Sequence, residues 1–221
     1  MARVPLRRTR QGSRGLALIE VLVVGVIALV VLGSMALASS ANMRAFEHGS
    51  VKSDLQARAG RTLERILRAL HEADRDSLAA LPMAPVPLSA VTYDEPQSVS
   101  LVDGAVAVMP VRIQLEYEPG EANDGLDNDG DGLRDEGQVV LIRDFGQPAE
   151  IRAVLCTGVG ELLEGELANG ADDNANGLID ERGLCLTWDG TRVQVRMTLE
   201  RLDGQGRRIS HTLQGDARVM D

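Results

Sequence analysis

From Leu16 to Ala38 the chain runs for 23 residues of which only Glu20 is charged. At about 1.5 Å per residue a helix of that length covers roughly 35 Å, enough to cross a bilayer. The pattern then changes. Val51, Leu55, Ala59, Leu63, Ile66, Leu67 and Leu70 recur at three- and four-residue steps, which predicts an amphipathic helix with one buried stripe. Arg58, Arg61, Arg65 and Arg68 form a second stripe, and Asp54 and Glu64 each precede an arginine by four residues. This stripe reads either as a solvated face or as a surface for acidic neighbours.

Leu81-Pro82-Met83-Ala84-Pro85-Val86-Pro87 stops the helix, because proline lacks an N–H and disfavours helical geometry in the residue before it. Beyond it, short runs rich in Val, Ile and Leu at 98–102, 105–117, 138–143, 150–155, 184–188, 191–202 and 207–213 predict strands, the last three forming a meander. Val193, Val195, Met197 and Leu199 alternate with Arg192, Gln194, Arg196, Thr198 and Glu200, so one face packs and the other is wet. The expected fold is α+β: a long N-terminal helix, membrane span plus amphipathic stalk, packed on an antiparallel β-sheet head. The expected boundaries are a leader 1–15, a span 16–40, a stalk 41–80, a linker 81–97 and a β-rich head 98–221 carrying acidic loops 121–137 and 167–183.

Charge refines this picture. The chain has 221 residues, room for one core, and a formal charge of −10. Arg3, Arg7, Arg8, Arg10 and Arg14 lie in the first 15 residues with no acid; withholding these five positive charges leaves −15 on the rest. Basic residues directly before the span place the N-terminus in the cytoplasm and the acidic head outside. An acidic chain with Phe46, Tyr93, Tyr117, Phe145 and Trp188 as its five aromatics has neither the cations nor the stacking surfaces for nucleic acid, which is not an expected partner.

Glu20 needs a partner, since a carboxylate at the centre of a membrane helix costs on the order of 3 kcal/mol. No Lys or Arg lies within a helical turn of it inside the span. Cleavage after Gly15 would free an amine at Leu16 and make Glu20 the fifth residue of the mature chain. That amine, its own or that of an axially shifted neighbour, would supply the partner. An uncleaved signal anchor is the alternative.

The arginine-rich leader ending Arg14-Gly15, the following Leu16-Ala17-Leu18-Ile19-Glu20 and the aliphatic helix to Ala38 resemble the class III prepilins, the type IV pilins and the pseudopilins of type II secretion. The resemblance covers about residues 7–40 and extends loosely to 78. It implies a type IV pilin-like fold, removal of 1–15 by an inner-membrane prepilin peptidase, methylation of the Leu16 amine, and assembly with other pilins or pseudopilins through packed helices. It further implies a single-pass inner-membrane protein with a periplasmic head. Leu16 replaces the commoner Phe or Met, and the span has no Pro, which points away from a major filament subunit. The layout is similar to the J-type minor pseudopilin or the W-type minor pilin. A calcium-dependent adhesin or binding module anchored by the same helix is the alternative from a different class.

The acidic loops repeat each other. A shift of 45 residues aligns Asp127 with Asp172, Asp129 with Asn174, Asp131 with Asn176, Gly132 with Gly177, Leu133 with Leu178, Asp135 with Asp180 and Glu136 with Glu181. Oxygen side chains at alternate positions followed by Gly suit a hard cation with six to eight oxygen ligands, so calcium is the expected ion. Asp127, Asp129 and Asp131 match the first ligands of a calcium loop, the Leu133 carbonyl the next, and Asp135 or Glu136 closes the shell. An EF-hand has Glu at the twelfth position, where this chain has Gln138 or Gly183, so the loops look more like the short DxDxDG calcium loops of extracellular bacterial proteins. The second set is Asp172, Asn174, Asn176, Leu178, Asp180 and Glu181, with less charge. Solvated acidic turns are the alternative in both.

Cys156 and Cys185 flank the second loop, and in an exported head they are expected to pair, closing about 30 residues for roughly 3–4 kcal/mol; two buried thiols are the alternative. His48, His71 and His211 are scattered, and no nucleophile elbow, phosphate loop or dinucleotide fingerprint is present. No catalytic residues are expected, and an enzyme is not the reading.

Overall fold

A computed structural model describes residues 14–99 and 106–219, with side chains from Ile19 onward and none at Val99. The leader up to Ser13 and residues 100–102 of the strand expected at 98–102 lie outside the described residues. The elements are α1 (Arg14–His71), α2 (Arg75–Leu78), β1 (Ala90–Val99), β2 (Val106–Tyr117), β3 (Gly137–Arg143), β4 (Ile151–Val159), β5 (Leu184–Trp188), β6 (Arg192–Leu202) and β7 (Arg208–Arg218). They fall into two units, one up to Glu47 and one from His48 to Asp221.

The first unit is the apolar part of α1. Ile19 through Leu37 present large hydrophobic side chains that the chain itself leaves uncovered, such as Val21 at 73% and Leu29 at 72% exposure. A helix this long and apolar can span a membrane.

The second unit is α+β. The stalk stripe is buried as its spacing predicts, with Leu55, Ala59, Leu63, Ile66 and Leu70 inside and Val51 and Leu67 half-buried. They pack into one core with Val193, Val195, Met197 and Leu199 from β6. Gly215 on β7 allows the close approach: a Cβ there would lie 2.7 Å from Leu67 Cδ1. The exposed edge of the stalk is tied down by Asp54, whose Oδ2 accepts from Arg201 at 2.7 Å and pairs with Arg58 at 3.0 Å.

All strand pairs are antiparallel: β1-β2-β3-β4 follow in order, β7 lies along one edge of β6, and β5 and the end of β4 share the other, where Gly160 N donates to Thr198 O and Thr198 N to Gly183 O. The expected C-terminal meander is β5-β6-β7. The link between β4 and β6 is slight, a single pair, Val159 with Leu199.

Three expectations are corrected. The linker placed at 81–97 is strand from Ala90, because Val91 and Tyr93 alternate inward against Thr92 and Asp94 and override the nearby prolines; Pro96 sits at the register shift of β1. The stalk placed at 41–80 ends at His71, followed only by the short α2. Thr198, assigned to the wet face of β6, is fully buried, because its hydroxyl meets Thr212 Oγ1 at 2.8 Å and accepts from the Glu164 N–H at 3.0 Å.

Candidate metal centre

The acidic loops leave the sheet at two places, the first between β2 and β3 and the second between β4 and β5. Their backbones repeat bond for bond. In the first loop Glu118 N donates to Glu136 O, Glu121 N to Glu118 O and Asp124 N to Ala122 O; in the second, Leu163 N donates to Glu181 O, Glu166 N to Leu163 O and Asn169 N to Leu167 O. Each pair is offset by 45 residues. Asp135 and Asp180 both take φ near +50°, 52° and 49°, a conformation Asp tolerates better than most residues.

Several aspartates expected as ligands hold the loop frame. Asp135 accepts from the Asp124 and Gly125 N–H groups and Asp180 from those of Asn169 and Gly170. Asp127 accepts from Gly130 and Gly132 at 2.7 and 2.9 Å, and Asp172 from Asn176 and Gly177 at 3.1 and 2.8 Å. Asp131 and Asn176 accept from the N–H groups of Leu133 and Leu178, and Asp129 and Asn174 from those of Asp131 and Asn176. Leu133 and Leu178 anchor the loops with side chains 5% exposed, Leu178 against Leu163 and Cys185.

The last residue of each loop behaves differently. Glu136 is 0% and Glu181 1% exposed, and none of their four carboxylate oxygens has a hydrogen-bond partner. Burying an ionised carboxylate without a partner costs several kcal/mol, so such a group is protonated or meets a cation. In the first loop the cation can be placed. Carboxylate oxygens of Glu118, Asp129 and Glu136 lie within 4.8 Å of one another, as do those of Glu121, Asp127 and Asp129. These clusters can hold a metal ion, and Asp129 belongs to both. Burial above all, with Asp131, Glu121 and Asp129 adding, pushes the Glu136 carboxyl up to about 7. Burial also raises Glu118, although it accepts from the Gly158 N–H at 2.6 Å.

Of the first-loop residues expected from sequence, Asp127, Asp129 and Glu136 fall in these clusters; Asp131 and Asp135 do not, and Leu133 contributes packing. Glu118 and Glu121 were not expected. Glu121 was findable, because the 45-residue repeat extends upstream to pair it with Glu166, whose Oε1 likewise accepts a loop N–H, from Asn174 at 3.0 Å. Glu118 had no such signal, since its counterpart is Leu163. The second loop thus keeps Glu181 and Glu166, whose Oε2 is also buried and unpartnered, and has Leu163 and Asn174 where the first has Glu118 and Asp129.

The disulfide expected between Cys156 and Cys185 is absent and both thiols are free. Cys156 lies on β4 and Cys185 on β5, strands that meet the same edge of β6 and do not pair with each other. They pack into different clusters: Cys185 lies with Leu163 and Leu178, whereas Cys156 lies against the main core. Cys156 Sγ instead lies 3.9 Å from Met197 Sδ. Burial raises both thiols, to about 11 for Cys156 and about 12 for Cys185.

Gly15, Leu16 and Glu20 lie on α1, the first two described by backbone alone. Glu20 is exposed and no ion pair involves it among the described residues. No family model, no curated protein and no solved structure matches the chain.

Proposed function

We propose that the chain is a minor subunit of a pilin-like filament, of the type II secretion pseudopilus or type IV pilus class, with a calcium-stabilised head. It is cut after Gly15, methylated on Leu16 and held in the inner membrane by α1 until its helix packs among those of other pilins or pseudopilins. The observation that carries this reading is the apolar half of α1: a helix bare of cover from Ile19 to Leu37 whose one charged residue, Glu20, sits five residues from a Gly-Leu junction. A plain anchor has no use for an acid at that position. A filament subunit does, because the carboxylate pairs with a neighbour's freed amine and fixes the axial register.

Calcium fits the head by the same physical standard. Three carboxylates converging on one point repel each other and strand Glu136 in the interior; a hard divalent cation with oxygen ligands removes both costs. The role is structural, ordering loops too polar to order themselves.

The test is Glu20→Ala, expressed in a host with working prepilin processing and the rest of the assembly machinery. The variant is expected to lose its leader as the wild type does and to be missing from sheared filaments. Normal incorporation would remove the amine-pairing basis of the reading.

A further inference from the structure

β4 is paired with β3 along one side, yet on the other it meets β6 only at Val159. From Ile151 to Thr157 its outer edge has no strand partner among the described residues, and Ile151 and Val154 are 63% and 52% exposed. Open edges of this kind accept another strand unless something blocks them. Here the stalk helix runs alongside. Between Arg58, Arg61 and Arg65 on α1 and residues 154–157 of β4 lies a cavity of about 310 Å³, with no acid in its lining. Thr62 forms its floor, 3% exposed and donating to the Leu155 carbonyl at 3.4 Å. Arg58 is paired with Asp54, whereas Arg61 and Arg65 are exposed and make no ion pair among the described residues.

Two unpaired cations along an unpaired edge, in a chain of net charge −10, define the complement. We propose that this groove takes an extended acidic segment of a different protein, added as a strand to the edge of β4. The spacing fits. Arg61 and Arg65 are four residues apart on a helix, about 6 Å along its axis. Alternate side chains of a strand are about 6.7 Å apart on one face, so acids at every second position can meet both arginines while the backbone pairs with β4 on either side of the Leu155 carbonyl, which Thr62 already takes. A second copy of this chain is a poor occupant: edge-to-edge pairing of two β4 strands would bring two arginine rows together. Asp127, Asp129 and Asp131 alternate, but they already accept N–H groups within their own loop. The assignment does not depend on the filament reading.

The test uses the full chain in detergent micelles and a fluorescent peptide of alternating Val and Glu, followed by anisotropy at low and high salt. Controls are the Val-Lys peptide and the Val-Glu peptide N-methylated at alternate residues, which keeps the charge and removes edge donors. The Val-Glu peptide is expected to bind, more weakly as salt rises. The N-methylated and Lys peptides are expected not to bind, and the exposed Arg61→Glu/Arg65→Glu double variant should weaken binding by about tenfold or more. Equal binding of the N-methylated peptide would reduce the groove to a charge patch and overturn strand addition. No binding, or self-association of the chain abolished by the same double variant, would overturn the proposed partner.

Discussion

Glu136→Gln should reverse its effect on stability according to whether calcium is present. Without a divalent ion, the wild type buries a carboxyl with no partner beside Asp129 and Glu118. Its pKa is pushed from an ordinary value near 4.3 to about 7. A carboxyl raised on folding destabilises the native state as pH climbs, because the unfolded chain releases the proton first. The loss begins near the ordinary value, is complete above the raised one, and at pH 8 amounts to roughly 3.5 kcal/mol at most. Glutamine keeps the shape and removes the charge, so in chelator at pH 8 the variant should melt at or above the wild type. With calcium the order inverts. A ligand at a hundredfold excess over its Kd stabilises by about 2.7 kcal/mol, worth roughly 5–10 °C in Tm for a unit of this size. The wild type should gain that shift, and the variant should lose most of it with one of three converging carboxylates gone. The assay is calorimetry of the full chain in micelles, in chelator and in calcium, at pH 5 and pH 8. A variant less stable than the wild type in chelator with an undiminished calcium shift would refute the reasoning.

The remaining predictions concern packing, a turn and the thiols. Ile66→Ala opens the fully buried seam between stalk and sheet and should cost about 2–5 kcal/mol by urea denaturation, whereas Arg65→Ala should be near neutral. Asp203 is held well below the usual carboxylate range by the N–H groups of Arg207 and Gln205 and by the Arg207 side chain. Its contribution is therefore full above the ordinary Asp value of about 3.9 and lost as pH falls below it, so Asp203→Asn should flatten the decline in Tm between pH 5 and pH 2. Superimposable profiles would count against that assignment. Thiol titration of unreduced, denatured protein should find two free thiols per chain, and none would restore the disulfide.

The stalk and the C-terminal meander were legible because their periods are long and clean: seven apolar positions at helical spacing, and Val193 to Leu199 at strand spacing. β1 was not, because Pro96 and the preceding proline run masked an alternation only four residues long. The loops were legible as a repeat and as cation-prone, but their spacing does not say which oxygens face the ion. Aspartates at alternate positions cap N–H groups of the turn they create, which frees the buried glutamate at the end of the loop for the cluster. Glu118 lies just past the end of β2 rather than in the motif, and only folding brings it there. The disulfide expected from the cysteines fails because sequence separation does not say that Cys156 and Cys185 pack into different clusters.

The most direct test of the account is the intact mass and N-terminal sequence of the protein extracted from the membranes of a host with prepilin peptidase. The account predicts a chain that begins at Leu16 with a methylated amine. Material that still begins at Met1 would leave Glu20 without its amine and contradict the assignment to a filament.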